Sequence, residues 1–238
     1  MPEFKRKVNV IFVLGPPGSG KLTLNDKYDI KRCSVKFCFI KGIYLDIIFR
    51  FQPLGKGTQC EKIVQQFGYK HLSAGELLRT EQNAKNSQFG ELIQKHMVNG
   101  TIVPVAITCS LLLRAMNDSK CENFLIDGFP RNQDNLDGWI KEVDPELVKI
   151  QSVLFFECSQ NNCLIRCIKR GENGSGRSDD DEEVLKKRFI TYKNSTLPIV
   201  EYYRKLGLLI EIDANKTVDD MYTQLISNCT FLNSEKII

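Results

Sequence analysis

The chain has 238 residues, of which 42% are hydrophobic and 26% charged, with a formal net charge of +4. That is enough to bury a substantial core, and one domain with elaborations suffices. So mild a charge, with Lys and Arg scattered among Asp and Glu, argues against a nucleic-acid partner, which would draw a concentrated basic face. The nine cysteines are odd in number and scattered, without a C-x-x-C pair, and His71 and His96 stand far from them. They read as buried reduced thiols rather than zinc ligands or disulfides, which favours a reducing compartment. The opening MPEFKRKVNV lacks a signal-peptide core. No uncharged apolar stretch is long enough for a bilayer; Lys41, Asp46 and Arg50 break the nearest, Phe37 to Phe51. No membrane partner is expected.

In chain order, Val8 to Leu14 is short, β-branched and closed by Gly-Pro-Pro, which predicts a buried parallel strand. Gly15 to Lys21 follows as GPPGSGK, a phosphate-cradling loop up to its last position. Its glycines let backbone N–H groups turn around an anion and its lysine adds charge. Leu22 then stands where Ser, Thr or Gly-Thr should follow. The missing half comes later, as Gly55-Lys56-Gly57-Thr58-Gln59-Cys60. Joining Lys21 to Gly57, or Gly20 to Lys56, gives the same string, GPPGSGKGTQC. The alternatives are one phosphate loop interrupted by residues 22–56, or two unrelated Gly-Lys pairs; the strand before the first half favours one loop. Either Lys21 or Lys56 could fill it. Beyond Thr58, the spacing of Cys60, Ile63, Val64 and Phe67 predicts a helix.

Tyr69 to Leu72 reads as a short strand. Ser73, with Glu76 three residues on, predicts a capping box opening a helix that carries Arg79. Helices are predicted over Phe89 to Val98 and Val105 to Met116, divided by Asn99-Gly100 and Pro104. Phe124 to Ile126 is a buried strand that exits through Asp127-Gly128-Phe129-Pro130-Arg131. An acid at the carboxyl end of a parallel strand lies where α/β folds hold ligands, and Arg131 beside it offers a planar fork for phosphate. Ser152 to Glu157 is a third core strand. A helix from Asn161 ends at Lys169-Arg170-Gly171, and a Gly-rich loop flanked by Arg170 and Arg177 reads as a mobile lid. The helix from Glu182 carries Arg188. Leu208 to Asp213 is the last strand and Val218 to Leu225 the closing helix.

Strands alternating with helices imply an α/β fold, a parallel sheet covered on both faces. A phosphate loop with dispersed arginines points to phosphoryl transfer between two phosphorylated molecules, where the protein aligns reactants and neutralises charge. The stretches VLGPPGSGK with GTQC, HLSAGELLR, TIVPV, FLIDGFPRNQDNLDGW, KRGENGSGRSDD and KKRF together resemble the nucleoside monophosphate kinases, and among them the eukaryotic UMP-CMP kinase family. The resemblance runs nearly end to end apart from the interruption.

This resemblance implies a P-loop NTPase core of three layers with five parallel strands, in a single domain over residues 1–238. Residues 73–103 would be the helical flap that binds the monophosphate, and 170–181 a short lid. It implies that Gly18, Ser19, Gly20, Lys21 or Lys56, Gly57 and Thr58 hold the ATP phosphates, while Arg79 and Arg131 grip the monophosphate. Thr101, Ile102 and Val103 would line the acceptor nucleoside pocket, and Gly128, Phe129 and Pro130 would also bind substrate. Asn135 would read the pyrimidine edge, since an amide offers both a donor and an acceptor. Asn135 and Ser73-Ala74-Gly75, where adenylate kinases usually carry Gln and S-T-G, favour pyrimidine over adenine. Arg170, Arg177 and Arg188 would surround the transferred group, Arg170 also contacting ATP, and the loop of Lys216 would meet the adenine. Asp127 would hold Mg²⁺ through water, with no dedicated protein metal cage. The lid lacks the four cysteines of zinc-bearing relatives, and it is one residue longer between Arg170 and Arg177 than usual.

The implied activity is ATP-dependent phosphorylation of UMP, CMP and dCMP by a monomer in the cytoplasm, with the nucleus as a second location. The alternatives are an adenylate kinase and a catalytically impaired nucleotide-binding protein whose insert docks a partner. Residues 22–56 are either a structural insertion or translated intron, and the second is favoured because long insertions sit better in surface loops than in a catalytic turn. Such an excursion is expected to remove the helix start that supplies amide donors. The literal chain is therefore expected to be a poor or inactive catalyst, and the chain without residues 22–56 an active one.

Overall fold

The computed structural model describes residues 6–19, 56–172 and 177–233. At its centre is β1 (Val8–Leu14), whose seven residues are nearly all buried. Its side chains alternate between two cores. Val8, Val10, Phe12 and Leu14 face one, while Ile11 and Val13 face the other. This is the period of two that a strand buried on both faces requires.

The other strands are β2 (Lys70–Ser73), β3 (Asn123–Asp127), β4 (Val148–Glu157) and β5 (Leu209–Asp213). All pairings are parallel and the spatial order is β2-β3-β1-β4-β5. The chain therefore winds to one side of β1 and then to the other. Ligands in open α/β sheets lie at such a reversal, beyond the carboxyl ends of the strands. Val13 pairs with Asp127 there, and Gly128 N donates to Val13 O at 3.0 Å.

Helix α1 (Lys56–Phe67) packs Cys60, Ile63 and Phe67 on one face of the sheet, beside Met221 and Leu225 of α9 (Val218–Asn228). The opposite face is covered by α4 (Val105–Asp118), α5 (Gln133–Glu142) and α8 (Leu197–Lys205). Phe12, Phe129, Trp139 and Tyr203 meet there, with ring centroids 5.3 to 6.1 Å apart. A smaller apolar cluster joins α2 (Ala74–Gln82), α3 (Gly90–Val98) and α4 through Leu78, Ile93, Ile107 and Leu111. Among the described residues no helix is long and apolar enough to cross a membrane.

Several elements differ from the sequence reading. Helices α5 and α8 had no separate signal. The first is opened by Asn132, whose side chain accepts from Asn135 N at 2.9 Å, and the second follows a single π-helical turn over Tyr192–Thr196. The capping box at Ser73 is not formed. Ser73 occupies the N-cap but makes no side-chain cap hydrogen bond, and Glu76 turns to arginines. The helix start expected to be lost is present, since α1 begins at Lys56.

Candidate active site

A cleft opens beyond the carboxyl ends of β1 and β3. Its wall carries six cations, Lys56, Arg79, Arg131, Arg170, Arg177 and Arg188, against two carboxylates, Asp127 and Asp179. The cations come from five places in the fold. Lys56 opens α1, Arg79 lies on α2, and Arg131 follows β3. Arg170 ends α6 (Gln160–Glu172), and Arg177 and Arg188 flank and ride on α7 (Glu182–Thr191). Like charges held this closely repel, so the arrangement suits a site that receives anions.

The floor is the Gly-rich bend after β1. Gly18 has φ +80°, and a Cβ there would lie 2.3 Å from Cys163 O and 2.7 Å from Cys167 Sγ. Only glycine fits that approach of the bend to α6. Ser19 is fully buried, with its hydroxyl donating to Pro16 O at 2.8 Å. Lys56 Nζ donates to Gly15 O at 3.3 Å and lies 3.7 Å from Asp127 Oδ1. Burial pulls the Lys56 ammonium below its ordinary value, with Asp127 opposing and Arg131 assisting.

Arg131 is fixed by its own loop, Nε donating to Gly128 O at 2.6 Å, while Thr196 Oγ1 donates to Arg131 O at 2.9 Å. Burial, followed by the Arg188 charge, lowers the Arg131 guanidinium to about 10. An arriving dianion would relieve both effects. Beside it, Asn135 is 2% exposed and its Oδ1 accepts from Arg131 N at 3.2 Å. That backbone donor sets the amide's orientation, leaving Nδ2 buried without a hydrogen-bond partner at the cleft.

Two carboxylates organise the arginines: Glu76, which the sequence reading placed in a capping box, and Asp179, to which it gave no role. Glu76 Oε1 accepts from Arg79 Nη2 at 2.5 Å and from Arg177 Nη2 at 2.6 Å, tying α2 to the segment before α7. Asp179 Oδ2 lies 2.7 Å from Arg188 Nη1, and its Oδ1 lies 3.6 Å from Arg79 Nη1. Burial works to raise the Asp179 carboxyl, but Arg188, Arg79, Arg177 and Arg170 together outweigh it and hold it low. Asp180 pairs in turn with Arg170, accepting from Nε at 2.9 Å.

The cleft thus brings together Gly18, Lys56, Arg79, Thr101, Ile102, Val103, Gly128, Arg131, Asn135, Arg170, Arg177 and Arg188. Tyr192 and Thr196, presented by the π turn, also line it. Ser19, Gly57 and Thr58 are not among the residues that line it, and Lys216 is exposed and also outside it. Phe129 and Pro130 are not on the wall either, since the Phe129 ring points into the aromatic core. Gly20 and Lys21 lie outside the described residues, as do residues 22–55 of the interruption.

A parallel sheet of this order, with a glycine bend after its central strand and a cationic cleft at its reversal, defines a phosphotransferase of the P-loop class. The adenylate kinase family profile matches residues 52–208. The UMP-CMP kinases of Sus scrofa and Homo sapiens are each 51% identical to the chain over 177 residues, 72% of this chain and 89% of theirs. That of Rattus norvegicus is 53% identical over 173 residues, 71% of this chain and 87% of its own. The chain belongs to the UMP-CMP kinase family of nucleoside monophosphate kinases. It is a kinase whose family implies small nucleotides as substrates, ATP as donor and, typically, Mg²⁺.

Proposed function

We propose that the chain phosphorylates pyrimidine nucleoside monophosphates, UMP, CMP and dCMP, with the γ-phosphoryl group of ATP. The observation that carries this reading is the convergence of five arginines and Lys56 on one cleft at the sheet reversal. In such a transfer the protein forms no covalent bond. It aligns the acceptor phosphate with the γ-phosphorus and neutralises charge on the migrating group.

In this reading the Gly18 bend and the opening of α1, with Ser19, Gly57 and Thr58, hold the donor phosphates. Arg79 and Arg131 grip the acceptor phosphate, while Arg170, Arg177 and Arg188 surround the transferred group. Residues 73–103 form the acceptor-binding flap and 170–181 the lid that excludes water. Asp127 suits Mg²⁺ bound through water, because a single carboxylate beside the donor site matches an ion held chiefly by phosphate oxygens. When bound, the ion neutralises charge on the donor phosphates.

Pyrimidine selection is supported by identity to named UMP-CMP kinases and by Asn135. With Oδ1 engaged by Arg131 N, its Nδ2 offers a donor, which both uracil O4 and cytosine N3 can accept. The proposed setting is a monomer in the cytoplasm and nucleus, in keeping with the free thiols of the described cysteines. The test is a coupled ADP-release assay with CMP, UMP and AMP. A kcat/KM for CMP or UMP at least about tenfold above AMP is expected. A preference for AMP would instead make the chain an adenylate kinase.

A further inference from the structure

Ser19 and Lys56 are far apart in sequence and bonded in space. Lys56 N donates to Ser19 O at 2.8 Å, so the backbone that leaves the glycine bend meets the backbone that opens α1. Both ends are anchored independently. The bend continues β1 and is packed under α6 at Gly18, while α1 is held by Ile63 and Phe67 in the core and by Gln59 Nε2 donating to Val218 O at 2.8 Å.

Lys56 itself occupies a place that folding alone disfavours. It is buried, it sits at the positive end of a helix dipole, and Arg131 is nearby. Its side chain follows the inner edge of the bend to Gly15 O and Asp127. A phosphate chain laid along the bend would add counter-charge to the single carboxylate, Asp127, that this ammonium faces at 3.7 Å. The entropic cost of closing the intervening loop grows only with the logarithm of its length, so neither anchor is overcome by the residues between them.

We infer that the phosphate loop of this chain is assembled from two separate segments, 15–19 and 56–58, and that Lys56 rather than Lys21 is its catalytic lysine. The full chain is therefore competent with the intervening residues in place. This inference rests on the kinase reading above and deepens it.

The test compares kcat for ATP with CMP in the full chain, in its Lys56→Met and Lys21→Met variants, and in a chain with residues 21–55 excised so that Gly20 joins Lys56. The full chain is expected to turn over, and Lys56→Met to lower its kcat by about 10²–10³-fold. The loss at Lys21→Met should be smaller than that by at least ~30-fold. Lys56→Arg, which keeps the charge but replaces the compact ammonium with a broad planar fork, should also lose activity while retaining a cooperative thermal melt, which separates catalysis from folding. A loss at Lys21 equal to or larger than that at Lys56 would overturn the assignment. A silent full chain beside an active excised chain would overturn the two-segment loop while leaving the kinase reading intact. Inactivity of both the full and the excised chain on every nucleoside monophosphate would overturn the kinase reading itself.

Discussion

Arg131 sits where a guanidinium does two things at once. Its Nε is spent on Gly128 O at 2.6 Å, so the plane of the fork is set before any ligand arrives. Arg131→Lys keeps a charge, but its single nitrogen cannot span the loop carbonyl and a phosphate as the guanidinium fork does. It should lower kcat/KM for the acceptor by about 10²-fold in steady-state kinetics, with the melt little changed. Asp179 carries a pH signature. Its folded carboxyl lies below the ordinary 3.8, so it contributes stability that is present above that value and lost as pH falls through the folded one. Asp179→Asn should therefore flatten the fall of Tm as pH drops below about 4, and an unchanged slope would contradict these ion pairs. Half-buried Cys158 shares a hydrogen bond with the Cys163 thiol and accepts from Arg166 Nη1 at 3.4 Å. Together these lower it to about 7, against some burial. Iodoacetamide should label it with a midpoint near pH 7, while Cys109 and Cys229, raised to about 12 by burial, stay unlabelled.

At the scale of elements, the contact between the end of α3 and α7 depends on Gly100. It ends α3 in the left-handed region at φ +65°, and a Cβ there would lie 3.0 Å from Lys187 Cβ and 3.1 Å from Arg188 N. Gly100→Ala should cost about 1–2 kcal/mol in chemical denaturation and displace Arg188, raising KM for the monophosphate. The strands and α1 were legible because apolar runs and a 3.6 period leave little else for those residues to do. Glu76 was not legible. A Glu three residues after Ser73 has the spacing of a capping box, and only the folded arrangement of Arg79 and Arg177 shows a stronger partner for its carboxylate. Phe129 misled for the opposite reason. It lies in a loop of site residues, yet its ring is drawn into the core by Phe12 and Trp139.

For the whole molecule, the sheet order sets the site and the dispersed arginines fill it. Residues from α2, the loop after β3, the end of α6 and α7 meet at the carboxyl ends of the strands, where the strand order reverses. That convergence could not be read from spacing, since the cations span most of the chain and single arginines usually lie on solvated surfaces. It is also the claim on which the account depends: one cleft holds donor and acceptor together. Calorimetric titration of the full chain with a bisubstrate analogue, adenosine joined to uridine through five phosphates, tests it directly. The account predicts one site per chain and an affinity at least about 10²-fold tighter than for ATP or UMP alone. An affinity no better than that of ATP, or two independent sites, would contradict it.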